Sequence, residues 1–205
     1  MTMNPDLVDV LPAHQFDESQ LLAWLQKAID GFGDRLDVKQ FQGGQSNPTF
    51  LLDTDSGQYV LRKKPPGKTL PSAHMVEREY KVMRALSEHT NVPVPTTRAL
   101  CEDNSIIGTP FYVMDYLEGR IVSHPALRAL DRQERMSAHR SAIDTLAALH
   151  SVDVNQVGLG DYGRPEGYVA RQLARWTKQY LASKTDEQPA MDKLMDWLPK
   201  NLPST

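Results

Sequence analysis

The sequence predicts an α+β fold, with an antiparallel sheet of five strands, one glutamate-bearing helix set among them, and a helical region after them. Three observations predict it. Short runs rich in β-branched, aromatic and aliphatic residues recur from Val38 to Met114, punctuated by Gly, Pro, Asn and Asp. A single helical pattern, Ser72 to Leu86, interrupts them. Beyond Gly119 the apolar period changes from two to about 3.6, which marks a lobe boundary. On this reading residues 1–15 are a flexible arm, 16–118 one lobe, and 119–205 a second, helical lobe.

In chain order, Met1 to His14 carries acidic residues and no uninterrupted apolar core, so it does not read as a secretory signal. Asp17 suits a helix N-cap, and Leu21, Leu22, Trp24, Leu25, Ala28 and Ile29 form a stripe ending at Gly31 or Gly33. This helix is expected on the outside of the sheet. Val38-Lys39-Gln40-Phe41 and Thr49-Phe50-Leu51-Leu52 then flank Gly43-Gly44-Gln45-Ser46-Asn47-Pro48, a hairpin pattern. The glycine pair fits a plain turn. It also fits a loop whose free amides meet an anion such as phosphate, because glycine permits positive φ and close backbone approach.

A third strand, Tyr59 to Lys64, alternates so that Val60, Arg62 and Lys64 share one face and Tyr59, Leu61 and Lys63 the other. Its basic end fits either a solvated strand terminus or a cation held against the lobe. The loop Pro65 to Pro71 follows, then Ser72 as cap of the next helix. Met75, Val76, Val82, Met83 and Leu86 sit three or four residues either side of Glu79, so that carboxylate lies within the apolar stripe. Stranding a buried charge costs about 3–5 kcal/mol, so Glu79 needs a cationic partner on a neighbouring element; the nearest candidate in sequence is the strand Tyr59 to Lys64, and Arg62, directly after its apolar run, is the cation expected against the lobe. An arginine fork can hold a carboxylate and a phosphate oxygen together. Glu77 falls elsewhere, within i,i+4 reach of Lys81.

Thr96 to Cys101 and Phe111 to Met114 read as fourth and fifth strands, with turn residues Glu102 to Ser105 between them. Those acidic residues lack the alternating spacing of a calcium loop. Asp131 and Glu134 make a capping-box pattern opening a helix to His150, with Met136, Ile143, Leu146 and Ala147 on one side. Gly160-Asp161-Tyr162-Gly163 reads as a turn. Tyr168 to Leu181 is amphipathic, with Val169, Leu173, Trp176 and Tyr180 inward and Arg171, Arg175 and Lys178 outward. Pro189 opens a last helix with Met191, Leu194, Met195 and Leu198. His74 and His89 have no partner at a zinc-like spacing and read as surface or capping residues, and His150, at a helix end, reads as capping or packing.

Composition narrows the function classes. The net charge of -3, with both signs interspersed, gives no nucleic-acid footprint and no basic membrane patch. No apolar run is long enough to span a bilayer. One cysteine, Cys101, excludes an intramolecular disulfide, and a reducing cytoplasm is the expected compartment.

The order of glycine-bearing hairpin, basic third strand and inward glutamate resembles the N-terminal lobe of protein-kinase-like phosphotransferases. More narrowly, G-G-Q-S-N-P-T-F, Y-V-L-R-K-K-P-P-G and V-E-R-E-Y resemble the aminoglycoside phosphotransferase family, and within it the kinase-like domains fused to some acyl-CoA dehydrogenases. The resemblance runs from about Phe16 onward. It implies a bilobal fold that binds ATP or GTP and, in full-length members, Mg2+. Carried over residue by residue, it implies nucleotide contacts at Gly43, Gly44, Ser46, Asn47, Val60, Arg62 and Glu79, and at the hinge residues Met114, Asp115 and Leu117.

The chain departs from the family pattern in one respect. Relatives supply an H-G-D-x-x-x-x-N catalytic loop and a D-W-E metal motif after the helical segments, and neither occurs in residues 1–205. The expectation is therefore the N-terminal portion of an ATP-dependent phosphotransferase acting on a hydroxyl of a small molecule. No catalytic aspartate and no metal ligand are expected in this chain, little or no turnover by it alone, and exposed apolar helix surface open to self-association. The alternatives are a non-catalytic nucleotide-binding module or an interaction protein. The basic helix Tyr168 to Leu181 shows no acidic cluster for a polycationic antibiotic, which favours a hydroxyacyl or similar metabolite.

Overall fold

The structure is a computed structural model that describes residues 7–42, 47–67, 74–119, 126–164 and 166–203. It is an α+β fold with two compact units, Met1–Val157 and Gly158–Thr205. In the first unit, α1 (Glu18–Ala28) precedes β2 (Leu36–Phe41), β3 (Thr49–Thr54) and β4 (Gly57–Lys63). Then come α2 (Val76–His89), β5 (Thr97–Cys101), the single-turn α3 (Asn104–Ile107), β6 (Phe111–Asp115) and α4 (Arg132–His150). With a further strand, β1 (Leu7–Val8), ahead of α1, the sheet is antiparallel throughout, in the order β1-β2-β3-β4-β6-β5. Among the described residues it has six strands, one more than expected. The extra strand, β1 (Leu7–Val8), pairs with Phe41 and Gln40 inside the segment expected to be an arm. Two residues are too few to show an alternation.

Alternation gives the sheet two unlike faces. Phe50, Leu61 and Val113 are in register across β3, β4 and β6, and Ala99 of β5 is paired with Val113. That face packs under Leu21 and Leu25 of α1, together with Ile29 just after the helix and Phe32, to form the core. Asp17 caps α1 by accepting from the amides of Ser19 and Gln20. Trp24 meets Phe111 edge to face at 5.1 Å. The opposite face carries Thr49, Arg62 and Tyr112 in one row and Leu51, Val60 and Met114 in the next. Helix α2 lies against β5 and β6, burying Val76, Ala85 and Leu86. It starts at Val76 rather than Ser72. Ser72 lies outside the described residues, and His74 has φ 59, which interrupts a helix in an L-residue.

Lys63 belongs to the α1 side and is only 3% exposed. Its ammonium donates to the His14 carbonyl at 3.0 Å and lies 4.8 Å from the centre of the Phe16 ring. Gln40 holds the same N-terminal segment, accepting from the Leu11 amide and meeting His14 Nδ1. The basic end of β4 is therefore not a solvated terminus. Burial pushes the Lys63 ammonium down to about 8. Between about pH 8 and the ordinary lysine value near 10.4, the folded chain has released a proton that the unfolded chain keeps, so this group's contribution to stability rises with pH. Below that window the buried cation burdens the fold. Lys63→Met is expected to be relatively most favourable at pH 7, with its advantage over the parent shrinking by pH 10, as urea unfolding across that range will show. A difference independent of pH would contradict the assignment.

Helix α4 opens with a reciprocal capping box: Asp131 accepts from the Glu134 amide and Glu134 from the Asp131 amide. The second unit contains α5 (Tyr168–Ser183) and α6 (Pro189–Trp197), with Lys184 bound to Glu187 and Asp192. None of α4, α5 and α6 has a buried residue. Trp176, expected inward, is 61% exposed, and Ile143 of α4 is 65% exposed. Arg171, expected outward, is exposed and donates to the carbonyls of Glu166 and Arg164. Helical spacing locates a stripe, but it does not supply a covering element. Among the described residues, no helix is long and apolar enough to cross a membrane.

Candidate functional site

The site is built on the sheet face opposite α1. Strand alternation turns Arg62 of β4 and Tyr112 of β6 to that face as cross-strand neighbours, with Thr49 of β3 beyond Arg62. Glu79, in the first turn of α2, reaches down to them. Arg62 Nε donates to Glu79 Oε2 at 2.7 Å, and Arg62 Nη1 donates to Thr49 Oγ1 at 3.2 Å. The Tyr112 hydroxyl donates to the same Oε2 at 3.2 Å. Glu79 Oε1 accepts from Asn47 Nδ2 at 2.9 Å, and Asn47 Oδ1 meets His74 Nδ1 at 3.0 Å. Three donors, from β4, from β6 and from the segment just before β3, thus converge on one carboxylate. Burial, and then the Glu79 charge beside it, push the Tyr112 hydroxyl well above the ordinary phenol range, which keeps it a donor.

A second pair braces the same helix. Lys64 Nζ lies 3.2 Å from Glu77 Oε1, so Glu77 bonds across to the end of β4 as well as lying within reach of Lys81 along its own helix. The two clamps differ in openness. Arg62 and Glu79 keep 31% and 35% of their side-chain surface exposed, whereas Lys64 and Glu77 keep 24% and 25%. The Arg62 pair is the more exposed of the two.

The other sequence-derived positions divide in two. Val60 lies on the same face as Arg62, 7% exposed, in register with Met114. Asp115 ends β6. Its carboxylate takes two bonds from Arg98, at 2.6 and 2.8 Å, and its amide donates to the Thr96 carbonyl. A hinge contact through the Asp115 amide is therefore already spent. Leu117 is 60% exposed. Gly43, Gly44 and Ser46 lie outside the described residues. Sequence reasoning missed Tyr112, Thr49 and His74. Among the described residues, no group of three or more His, Cys, Asp or Glu side chains is placed to hold a metal ion. Gly160 to Gly163 is a turn, closed by the Tyr162 amide on the Leu159 carbonyl.

A family model described as the phosphotransferase enzyme family matches residues 37–205. The chain belongs to that family. Over 92% of its length it is 46% identical to, and superposes with a TM-score of 0.76 on, a protein of Ralstonia eutropha JMP134 assigned as an aminoglycoside phosphotransferase, of which it covers 54%. The kinase-like fold and the α+β class follow from this likeness. The chain is also 48% identical to the probable acyl-CoA dehydrogenase IBR3 of Arabidopsis thaliana. It is 46% identical to acyl-CoA dehydrogenase family member 11 of Rattus norvegicus and 44% to that of Homo sapiens. These alignments take in 97%, 100% and 98% of this chain but only 26%, 27% and 26% of the relatives. The chain thus spans about a quarter of the length of the curated relatives it matches.

Proposed function

We propose that this chain is the nucleotide-binding portion of an ATP-dependent phosphotransferase that acts on a hydroxyl group of a small molecule. The observation that carries the reading is Arg62, held by Glu79 and Thr49 yet 31% exposed, on the same sheet face as Val60 and Met114. A fixed, accessible guanidinium suits phosphate oxygens, and the apolar row beside it suits a base. Residues 16–118 are the nucleotide-binding lobe in this reading, and residues 119–205 part of the acceptor-binding lobe.

ATP, when bound, supplies a γ-phosphoryl group that passes to an alcohol oxygen, with release of ADP and of the hydroxyl proton. This chain's part is to hold and orient the phosphate chain through Arg62. Among the described residues no group of three or more His, Cys, Asp or Glu side chains is placed to hold a metal ion, and no step is assigned to Mg2+. Residues 1–205 contain no H-G-D-x-x-x-x-N segment to orient an acceptor, and we expect them alone to bind nucleotide without turnover. The acceptor class we favour is a hydroxyacyl compound, on account of relatives named as acyl-CoA dehydrogenases. The free, buried Cys101 suits a reducing cytoplasm.

Isothermal titration of the chain with ATP tests the reading. Saturable binding is expected, and Arg62→Ala is expected to weaken it about tenfold or more, the range for losing a bond to a charged group. Equal affinity in parent and variant would remove Arg62 from the site.

A further inference from the structure

Helix α2 begins without a side-chain cap, because Met75 occupies the cap position and makes no cap bond. What fixes its entry comes from the sheet side. Asn47 precedes β3 and makes two bonds to the start of α2, one to His74 ahead of the helix at 3.0 Å and one to Glu79 in its first turn at 2.9 Å. Chemistry sets the orientation of the amide. A carboxylate only accepts, so Nδ2 faces Glu79, Oδ1 is left for His74, and His74 Nδ1 carries a hydrogen. Asn47 is 3% exposed, and both ends of its side chain are committed inside the protein. So little exposed surface favours a structural role for Asn47 over the nucleotide contact expected from the sequence.

We propose that Asn47 is a positioning residue. It holds Glu79, and through Glu79 the guanidinium of Arg62, in the orientation that meets nucleotide, while pinning the N-terminus of α2 to the sheet. The effect on nucleotide rests on the reading given under Proposed function. The pinning of α2 does not.

The test uses two readouts on the 205-residue chain. One is ATP affinity by isothermal titration. The other is amide hydrogen exchange at Glu79 to Val82 without nucleotide. Asn47→Ala is expected to weaken ATP binding about tenfold and to speed exchange at those amides, as loss of a buried bond to a charged group implies. Asn47→Asp sets two carboxylates against each other and is expected to be worse. The double variant Asn47→Asp/Glu79→Gln exchanges the amide and the carboxylate while keeping size and net charge, and is expected to recover most of both losses. If the double variant regains slow exchange but binds ATP as weakly as Asn47→Asp, then the Asn47–Glu79 bond is not what governs nucleotide affinity and the proposal is overturned. Unchanged exchange in Asn47→Ala overturns it as well. If the parent chain binds no ATP but exchange responds as expected, the nucleotide reading fails and the hold of Asn47 on α2 stands.

Discussion

Glu79→Ala is expected to lower the stability of the chain by about 3 kcal/mol, a fall of roughly 6–12 °C in the unfolding midpoint for a chain of this size. The figure follows from the donors left behind. Asn47 and Tyr112 are 3% and 2% exposed, and each would lose its bond to Glu79 at a cost of about 1–3 kcal/mol. Arg62 contributes less, because at 31% exposure water partly replaces the carboxylate. Glu79→Gln keeps an acceptor and the shape, and is expected to cost about half as much. Glu77→Ala is the contrast. Glu77 Oε2 is buried without a partner, so its removal relieves one unsatisfied oxygen while it loses the Lys64 pair, and the net change is expected to stay under about 1 kcal/mol. Urea unfolding of the three variants checks the order. If Glu79→Ala costs no more than Glu77→Ala, the convergence of donors is not what holds α2.

The parts of this arrangement that were legible in the sequence are those set by local period. The spacing of Met75, Val76, Val82, Met83 and Leu86 put Glu79 on the apolar side of its helix, and strand alternation put Arg62 on the face opposite Leu61. Tyr112 was not legible. It lies in an apolar run, and its hydroxyl matters only because β6 inserts beside β4 rather than following β5 at the edge. His74 gave no signal either, since its part depends on a positive φ and on a partner 27 positions away. Lys63 is buried because residues 49 positions earlier fold across it. In the helical region, period fixed where α4, α5 and α6 form but not what covers them, and Trp176 and Ile143 remain exposed. Each miss concerns a contact between segments distant in sequence, which no window of ten or so residues contains.

Phe111→Ala and Tyr112→Phe, adjacent on β6, are expected to have opposite signatures. Phe111 is fully buried on the α1 side, in the cluster with Leu25, Leu61 and Cys101, and meets Trp24 edge to face at 5.1 Å. Truncating a buried phenylalanine costs about 3–5 kcal/mol through lost transfer energy and the cavity left behind, and the loss of the aromatic pair as well places Phe111→Ala toward the upper end of that range. The midpoint is expected to fall by roughly 6–20 °C. Because the side chain points away from Glu79 and Arg62, ATP affinity measured well below that midpoint is expected to stay within about twofold. Tyr112→Phe removes one hydroxyl from the other face and leaves the core intact. Its stability cost is expected near 1 kcal/mol, the usual net value of one hydrogen bond, while Glu79 loses one of its three donors and ATP binding weakens by about threefold or more. Thermal unfolding and nucleotide titration on the two variants separate the faces. Equal loss of affinity in both would mean that the sheet transmits core strain to the site, and that its two faces are not the independent surfaces the alternation of β6 makes them.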